Sequence, residues 1–324
     1  MALPSQSVIE PDSVGSDEND DDTILTDYAS IASTIPNYIY QNGRRYHSHQ
    51  SDQYLLPNDE REQERLDYMH HMFLLTLDGE LCHTKLENPQ HILDIGTGTG
   101  IWAIEMAEIY PSAEVTGTDI SPIQTSWAPP NVQFLVDDAV QEWTLPEASF
   151  DFVHVRTLAG SITDWPAFIE RCYRCVKPGG QIELSECRLQ MCCDDDSWPE
   201  NCRTRYWRDE FMKIAEEAKI ELDPFPRYAD WLQDAGFQNV DQVEKVVPIG
   251  TWPKDRVLKT RGRYFMAQFL NSGLETYTLS LFTRCAGWQP EDVHSLLGGV
   301  VEEVSSNKMH LYTHFSFVTA KKPA

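Results

Sequence analysis

The stretch His91-Ile-Leu-Asp-Ile-Gly-Thr-Gly-Thr-Gly100 decides the fold of this chain. A short apolar run ends in an acid and then three alternating glycines, which predicts a buried parallel strand turning sharply into a helix. Glycine at positions 96, 98 and 100 leaves one side of the turn without Cβ atoms, so a ligand can lie against the backbone. The helix that begins near Ile101-Trp-Ala-Ile-Glu-Met-Ala aims its free amide groups at the same place. The spacing is Gly-x-Gly-x-Gly, whereas a dinucleotide fingerprint needs Gly-x-Gly-x-x-Gly. Asp94 would repel a phosphate and attract an ammonium group. The expected ligand is therefore an amino acid or its conjugate rather than a pyrophosphate. The competing reading is an ordinary glycine turn between strand and helix.

The residues that follow weigh against that competing reading. Glu114-Val-Thr-Gly-Thr-Asp119 is a second strand ending in an acid, about twenty residues past the glycines, where a carboxylate can bind a ribose hydroxyl pair. Val132 to Asp138 is a third strand, and Asp138 with Ala139 suits an adenine amino group and the flat face beside it. Phe150 to Arg156 is a fourth strand, Trp165 to Val176 a helix, and Gln181 to Glu186 a fifth strand after Lys177-Pro-Gly-Gly180. Strands alternating with helices imply a Rossmann-like, doubly wound α/β sheet that binds ligands at the carboxyl ends of its strands.

The ordered set Asp94-Ile-Gly-Thr-Gly-Thr-Gly100, Gly117-Thr-Asp119, Asp137-Asp138-Ala139, Phe150-Asp-Phe-Val-His and Lys177-Pro-Gly-Gly180 resembles the class I S-adenosylmethionine-dependent methyltransferases. Asn42-Gly-Arg-Arg-Tyr-His47, Leu56-Pro-Asn-Asp-Glu60, Trp127-Ala-Pro-Pro-Asn-Val132, Gly160-Ser-Ile-Thr-Asp-Trp165 and Pro248-Ile-Gly-Thr-Trp-Pro253 narrow it to a resemblance to the fungal LaeA-like branch. It runs over nearly the whole chain. It implies seven strands, mostly parallel, with an antiparallel last strand around His310 to Ala320. It also implies S-adenosyl-L-methionine as cofactor and S-adenosyl-L-homocysteine as product. The cofactor residues so indicated are Asp94, Gly96, Thr97, Gly98, Gly100, Asp119, Ile120, Asp138, Ala139 and Arg156, with Arg45 and Tyr46 of an N-terminal lid touching the methionine end.

Composition bounds the remaining choices. A chain of 324 residues with 41% hydrophobic content can bury one large core with an elaborate cap. No apolar run approaches a membrane span and no signal peptide is legible, so a cytoplasmic or nuclear rather than secreted protein is expected, with its eight cysteines reduced. Cys172-x-x-Cys175 falls inside a helix, and no second pair or histidine stands at finger spacing, so no metal is expected. A net charge of −25 argues against direct nucleic-acid binding. Residues 1–25 read as a disordered acidic leader, 26–90 as the lid extension, and 91–324 as the methyltransferase domain, with a helical insert at about 190–236 that would build the acceptor pocket. In that insert Trp198, Tyr206, Trp207, Phe211 and Trp231 are aromatic anchors.

Methyl transfer from a sulfonium needs alignment and exclusion of water, with a general base only where the nucleophile carries a proton. His47, His49, His154 and Glu186 are candidates, although His154 inside a strand reads first as a packed core histidine. The acceptor is open, small molecule or protein side chain, and two roles compete: methylation of a small secondary metabolite, or a regulatory methyltransferase that works inside a nuclear protein complex. The aromatic insert supports the first, the family resemblance and the acidic leader the second.

Overall fold

A computed structural model describes residues 38–47 and 54–324. The acidic leader and His49 lie outside the described residues. Strands β1 (Ile39–Gln41) and β2 (Arg44–Tyr46) form an antiparallel hairpin, followed by helix α1 (Glu60–Thr76). Asp59 caps α1 by accepting from the Glu62 amide, as an acid at this position does. Then come β3 (His91–Ile95), α2 (Ile101–Ile109), β4 (Glu114–Asp119), β5 (Val132–Val136) and β6 (Phe150–Arg156). They are followed by α3 (Trp165–Cys175) and β7 (Val176–Cys187). Lys177 to Gly180 sit within β7 at a register shift against β6 rather than in a turn before it.

The seven-stranded sheet has the order β5-β4-β3-β6-β7-β9-β8, where β8 is Gln238–Pro248 and β9 Tyr312–Lys321. Only β9 runs against its neighbours, pairing antiparallel with both β7 and β8. The mostly parallel doubly wound sheet is as the sequence indicated, and the antiparallel last strand is as the resemblance implied.

Strand alternation feeds both faces. Ile92 packs with Trp102, Val115 and Phe152, whereas Leu93 and Ile95 pack on the other face with Phe168, Ile169 and Ile182. Helices α4 (Arg203–Glu217) and α5 (Phe225–Asp234) occupy the insertion between β7 and β8. A second insertion, between β8 and β9, carries α6 (Arg256–Gln268), a π-helical turn (Phe269–Gly273), α7 (Leu274–Ser280), a second π turn (Leu281–Cys285) and α8 (Pro290–Ser305). Both insertions share one apolar cluster with Val247 of β8 and Phe315 and Phe317 of β9, so they are built onto the sheet rather than around a separate core. The eight cysteines are free thiols. Among the described residues no helix is long and apolar enough to cross a membrane.

Candidate functional site

The glycine loop is fixed by its neighbours on β4. The Gly96 and Thr97 amides donate to the Thr118 carbonyl at 2.8 and 2.9 Å. Asp119 accepts from the Gly98 amide on one carboxylate oxygen and from the Ser121 amide on the other, both at 2.8 Å. Gly98 and Gly100 have φ of +59° and +83°, in the region glycine favours. A Cβ on Gly100 would lie 2.4 Å from the Phe134 ring, whereas one on Gly98 would meet only Leu66 of α1, at 3.2 Å. The loop is thus a backbone surface facing α1 across a narrow gap.

That gap is a cleft with a free volume of about 70 Å³ at the carboxyl ends of the strands. Its walls include Gly96, Gly98 and Asp119, Arg156 from β6, Glu186 from β7, Arg65 from α1, and Tyr54 and Asn58 from the segment before α1. Arg65 forms a two-pronged pair with Glu62, at 2.6 and 2.9 Å, and donates to the Tyr277 hydroxyl at 3.0 Å. Asn58 donates to Ser121 Oγ at 3.3 Å, tying this segment to the end of β4.

Several residues singled out from sequence stand elsewhere. Asp94 is buried beneath the loop and accepts from Thr97 Oγ1 at 2.6 Å and His154 Nδ1 at 2.7 Å, so it braces the turn instead of facing the cleft. His154 is buried as expected, with its ring stacked on Trp102 at 3.8 Å, and it does not reach the cleft. Arg45 is turned to the Asn58 carbonyl and Glu60, and Tyr46 is buried under the Arg284 guanidinium. Neither lines the cleft, because closer partners hold both. His47 is buried in the same segment and is not among the cleft residues. Asp138 and Ala139 stand just past β5, beside the Asp119 carbonyl that accepts from the Asp137 amide. Like Ile120, which follows β4, they lie outside the enclosed space.

Burial tunes the charges that remain. Partial burial pushes the Asp119 carboxyl up to about 6, although amide bonds from Ser121 and Gly98 oppose it. Burial pushes Glu186 up to about 8, against hydrogen bonds from the Tyr228 hydroxyl and the Ala159 and Leu158 amides. Burial lowers Arg156 to about 10. His70 is lowered to about 3 by burial and by the charge of Arg156, so its ring is neutral at physiological pH. Arg156 Nη2 donates to His70 Nδ1 at 3.2 Å, which leaves Nε2 to carry the hydrogen that Glu105 accepts at 3.0 Å. A neutral histidine thereby aims a cation at the cleft.

A second space adjoins the first. It is an apolar chamber of about 40 Å³, and it shares Cys187, Leu189 and Tyr277 with the cleft. Trp207 and Phe211 of α4 line it together with Phe265, Phe269, Met69 and Met191. The sequence placed the pocket in the insertion before β8, but Phe265, Gln268, Phe269 and Tyr277 of its lining come from the insertion after it. Tyr206 is half exposed and Trp198 is packed in the core, and neither lines the chamber. Trp231 lines a separate surface groove beside α3.

Comparison with known proteins gives a consistent picture. The family described as "Methyltransferase domain" matches residues 48–242. Methyltransferase pytC of Aspergillus terreus is 41% identical over 296 residues, covering 91% of each chain. Secondary metabolism regulator LAE1 of Cochliobolus heterostrophus is 36% identical, covering 89% of this chain and 95% of its own. Protein-methionine methyltransferase laeA of Emericella nidulans is 32% identical, covering 87% and 76%. The fold is shared with a protein described as a methyltransferase from an antibiotic biosynthesis pathway of Anabaena variabilis, at a TM-score of 0.51 and 15% identity over 77% of this chain and 96% of the other.

Proposed function

We propose that this chain, which belongs to the LaeA-like family of class I S-adenosylmethionine-dependent methyltransferases, methylates a small apolar metabolite. The observation that carries this reading is the aromatic and methionine-lined chamber that meets the cleft at Cys187, Leu189 and Tyr277. Such a lining suits an apolar ligand held by a few polar contacts. Identity is 41% to a relative named only as a methyltransferase, against 36% to one named a secondary metabolism regulator and 32% to one named a protein-methionine methyltransferase.

The cleft residues fit the cofactor. Gly98 leaves room for its methionine portion, with Gly96, Thr97 and Gly100 completing the loop. Asp119 has lone pairs for the ribose hydroxyls beyond those its amide donors use. Asp138, Ala139 and Ile120 surround the place for adenine at the ends of β4 and β5. Arg156 makes no ion pair among the described residues and meets the cofactor's carboxylate. The bound sulfonium supplies an electrophilic methyl group. Around it the protein excludes water and aligns the acceptor atom. Among the described residues Glu186 is the candidate base that lines the cleft, and with its carboxyl near 8 the ionised form that can take a proton from an acceptor hydroxyl grows as pH rises through about 8.

Both spaces are far smaller than the roughly 300–1,000 Å³ of ordinary ligand pockets, so both must widen when ligands enter. This narrowness, together with the LAE1 match, favours the second reading, a regulatory methyltransferase acting on a protein partner in the nucleus. The deciding experiment supplies purified protein with trideuteromethyl S-adenosylmethionine and a lysate of the source organism. Label in low-mass products supports the first reading, and label only in protein supports the second.

A further inference from the structure

The apolar chamber holds a polar side chain whose donor is spent on nothing. Gln268 ends α6, is 4% exposed and lines the chamber. Its Nε2 is buried without a hydrogen-bond partner among the described residues. The other polar groups of the wall are engaged. Thr313 Oγ1 donates to the Arg188 carbonyl, the Arg188 guanidinium is held by Asp223 at 2.6 Å, and the Tyr277 hydroxyl accepts from Arg65 at 3.0 Å. A buried amide left without a partner is destabilising, so its persistence calls for a reason. The backbone supplies a second observation. Directly after Gln268 the α-helix becomes the π-helical turn Phe269–Gly273, and such turns occur frequently at functional sites. Gln268, Phe269 and Tyr277 from this stretch all face the one chamber.

We propose that the Gln268 amide determines acceptor specificity by donating its N–H to an oxygen of an otherwise apolar methyl acceptor. The acceptor class is then an apolar molecule with a carbonyl, hydroxyl or ether oxygen set back from the methylated atom. A hydrocarbon surface of the same shape leaves the amide unsatisfied and is rejected, because a site built around a hydrogen bond discriminates strongly against ligands that lack it. Gln268 makes no contact with the cofactor cleft, so it positions the acceptor and leaves cofactor binding alone. The inference rests on the small-molecule reading given above.

The test uses the full chain, trideuteromethyl S-adenosylmethionine and an organic extract of the source organism's culture, with wild type, Gln268→Met and Gln268→Asn in parallel. Methionine keeps the volume and removes the amide, and asparagine withdraws the amide by one methylene. The expected result is a labelled, oxygen-bearing low-mass product for which both variants lose at least tenfold in kcat/KM. Cofactor affinity stays unchanged, and Gln268→Met melts no lower than wild type, since it no longer buries an unpaired donor. Wild-type kinetics in both variants overturns the role of Gln268 and leaves small-molecule methylation standing. A lowered melting temperature with unchanged kinetics makes Gln268 merely structural and likewise overturns it. Label only in protein, or in nothing, overturns both.

Discussion

His154 Nδ1 lies 2.7 Å from Asp94 Oδ1, and the imidazole stacks on Trp102 at 3.8 Å with the two rings 5° from parallel. An ionised carboxylate only accepts, so Nδ1 carries the hydrogen. With Thr97 Oγ1 on its other oxygen, the acid that opens the glycine loop is held from two sides. His154→Phe keeps the stack and removes the bond. It should lower stability by about 1–3 kcal/mol, the cost of leaving a buried acceptor short of a partner. Urea unfolding measures this, and unchanged stability would show that Asp94 does not depend on His154.

Asp119 is the second acid to test. Asp119→Ala removes the acceptor of the Gly98 and Ser121 amides together with the proposed ribose contact. Calorimetry should show S-adenosylmethionine binding weakened by about 1.5–3 kcal/mol, as for hydrogen bonds to a charged group. The pH dependence follows from the carboxyl sitting near 6 without ligand. Ribose hydroxyls donate to the ionised form, so binding releases a proton, and affinity should rise with pH through about 6 and then level off. Asp119→Asn should flatten that rise. An identical profile in the variant would place the titrating group elsewhere.

Two glycines of one loop should behave differently. A Cβ at Gly100 strikes the Phe134 ring, and φ is +83° there, so Gly100→Ala combines a clash with roughly 1–2 kcal/mol of left-handed strain and should give little folded protein. Gly98→Ala carries similar strain but meets only Leu66, at the end of a flexible side chain. It should fold, melt slightly lower and bind cofactor poorly, since the methyl group projects into the cleft. Thermal melts with and without cofactor distinguish the two, and equal cofactor-induced shifts in wild type and Gly98→Ala would contradict the cleft assignment.

Glu186 links stability to activity. With its carboxyl near 8 in the folded chain against 4.5 ordinarily, the folded state binds the extra proton between those values. The protonated form's contribution to stability is complete below about 4.5 and is lost as pH rises through about 8. Glu186→Gln should flatten the fall of stability across this window. If Glu186 is the base, the same change should lower methyl transfer by about 10²–10⁴-fold. Full activity in the variant would leave alignment alone as its role.

The strand, loop and helix around Gly96 to Gly100 were legible because their signals are local: an apolar period, an acid and glycines within ten residues. Distance along the chain defeated other parts. Trp207 and Phe211 meet Phe265 and Phe269 only after both insertions fold onto β8 and β9, which no spacing reveals. The resemblance implied Arg45 at the methionine end of the cofactor, and in the structure Glu60 and the Asn58 carbonyl hold its guanidinium. Arg65 was passed over on an amphipathic helix, although Glu62 at i−3 is the partner that lets a guanidinium be buried. Helix α8 was missed, although Pro290 with Glu291 and Asp292 is a start signal, and Val293, Leu296, Leu297, Val300 and Val304 repeat at helical spacing.

The account rests on one cleft holding the cofactor so that its reactive end meets the apolar chamber. A crystal structure with S-adenosylhomocysteine tests this directly. The prediction is a ribose hydroxyl pair within hydrogen-bond distance of Asp119, with the sulfur turned toward the opening formed by Cys187, Leu189 and Tyr277. A ribose bound away from Asp119, or a sulfur facing any other exit, would contradict it.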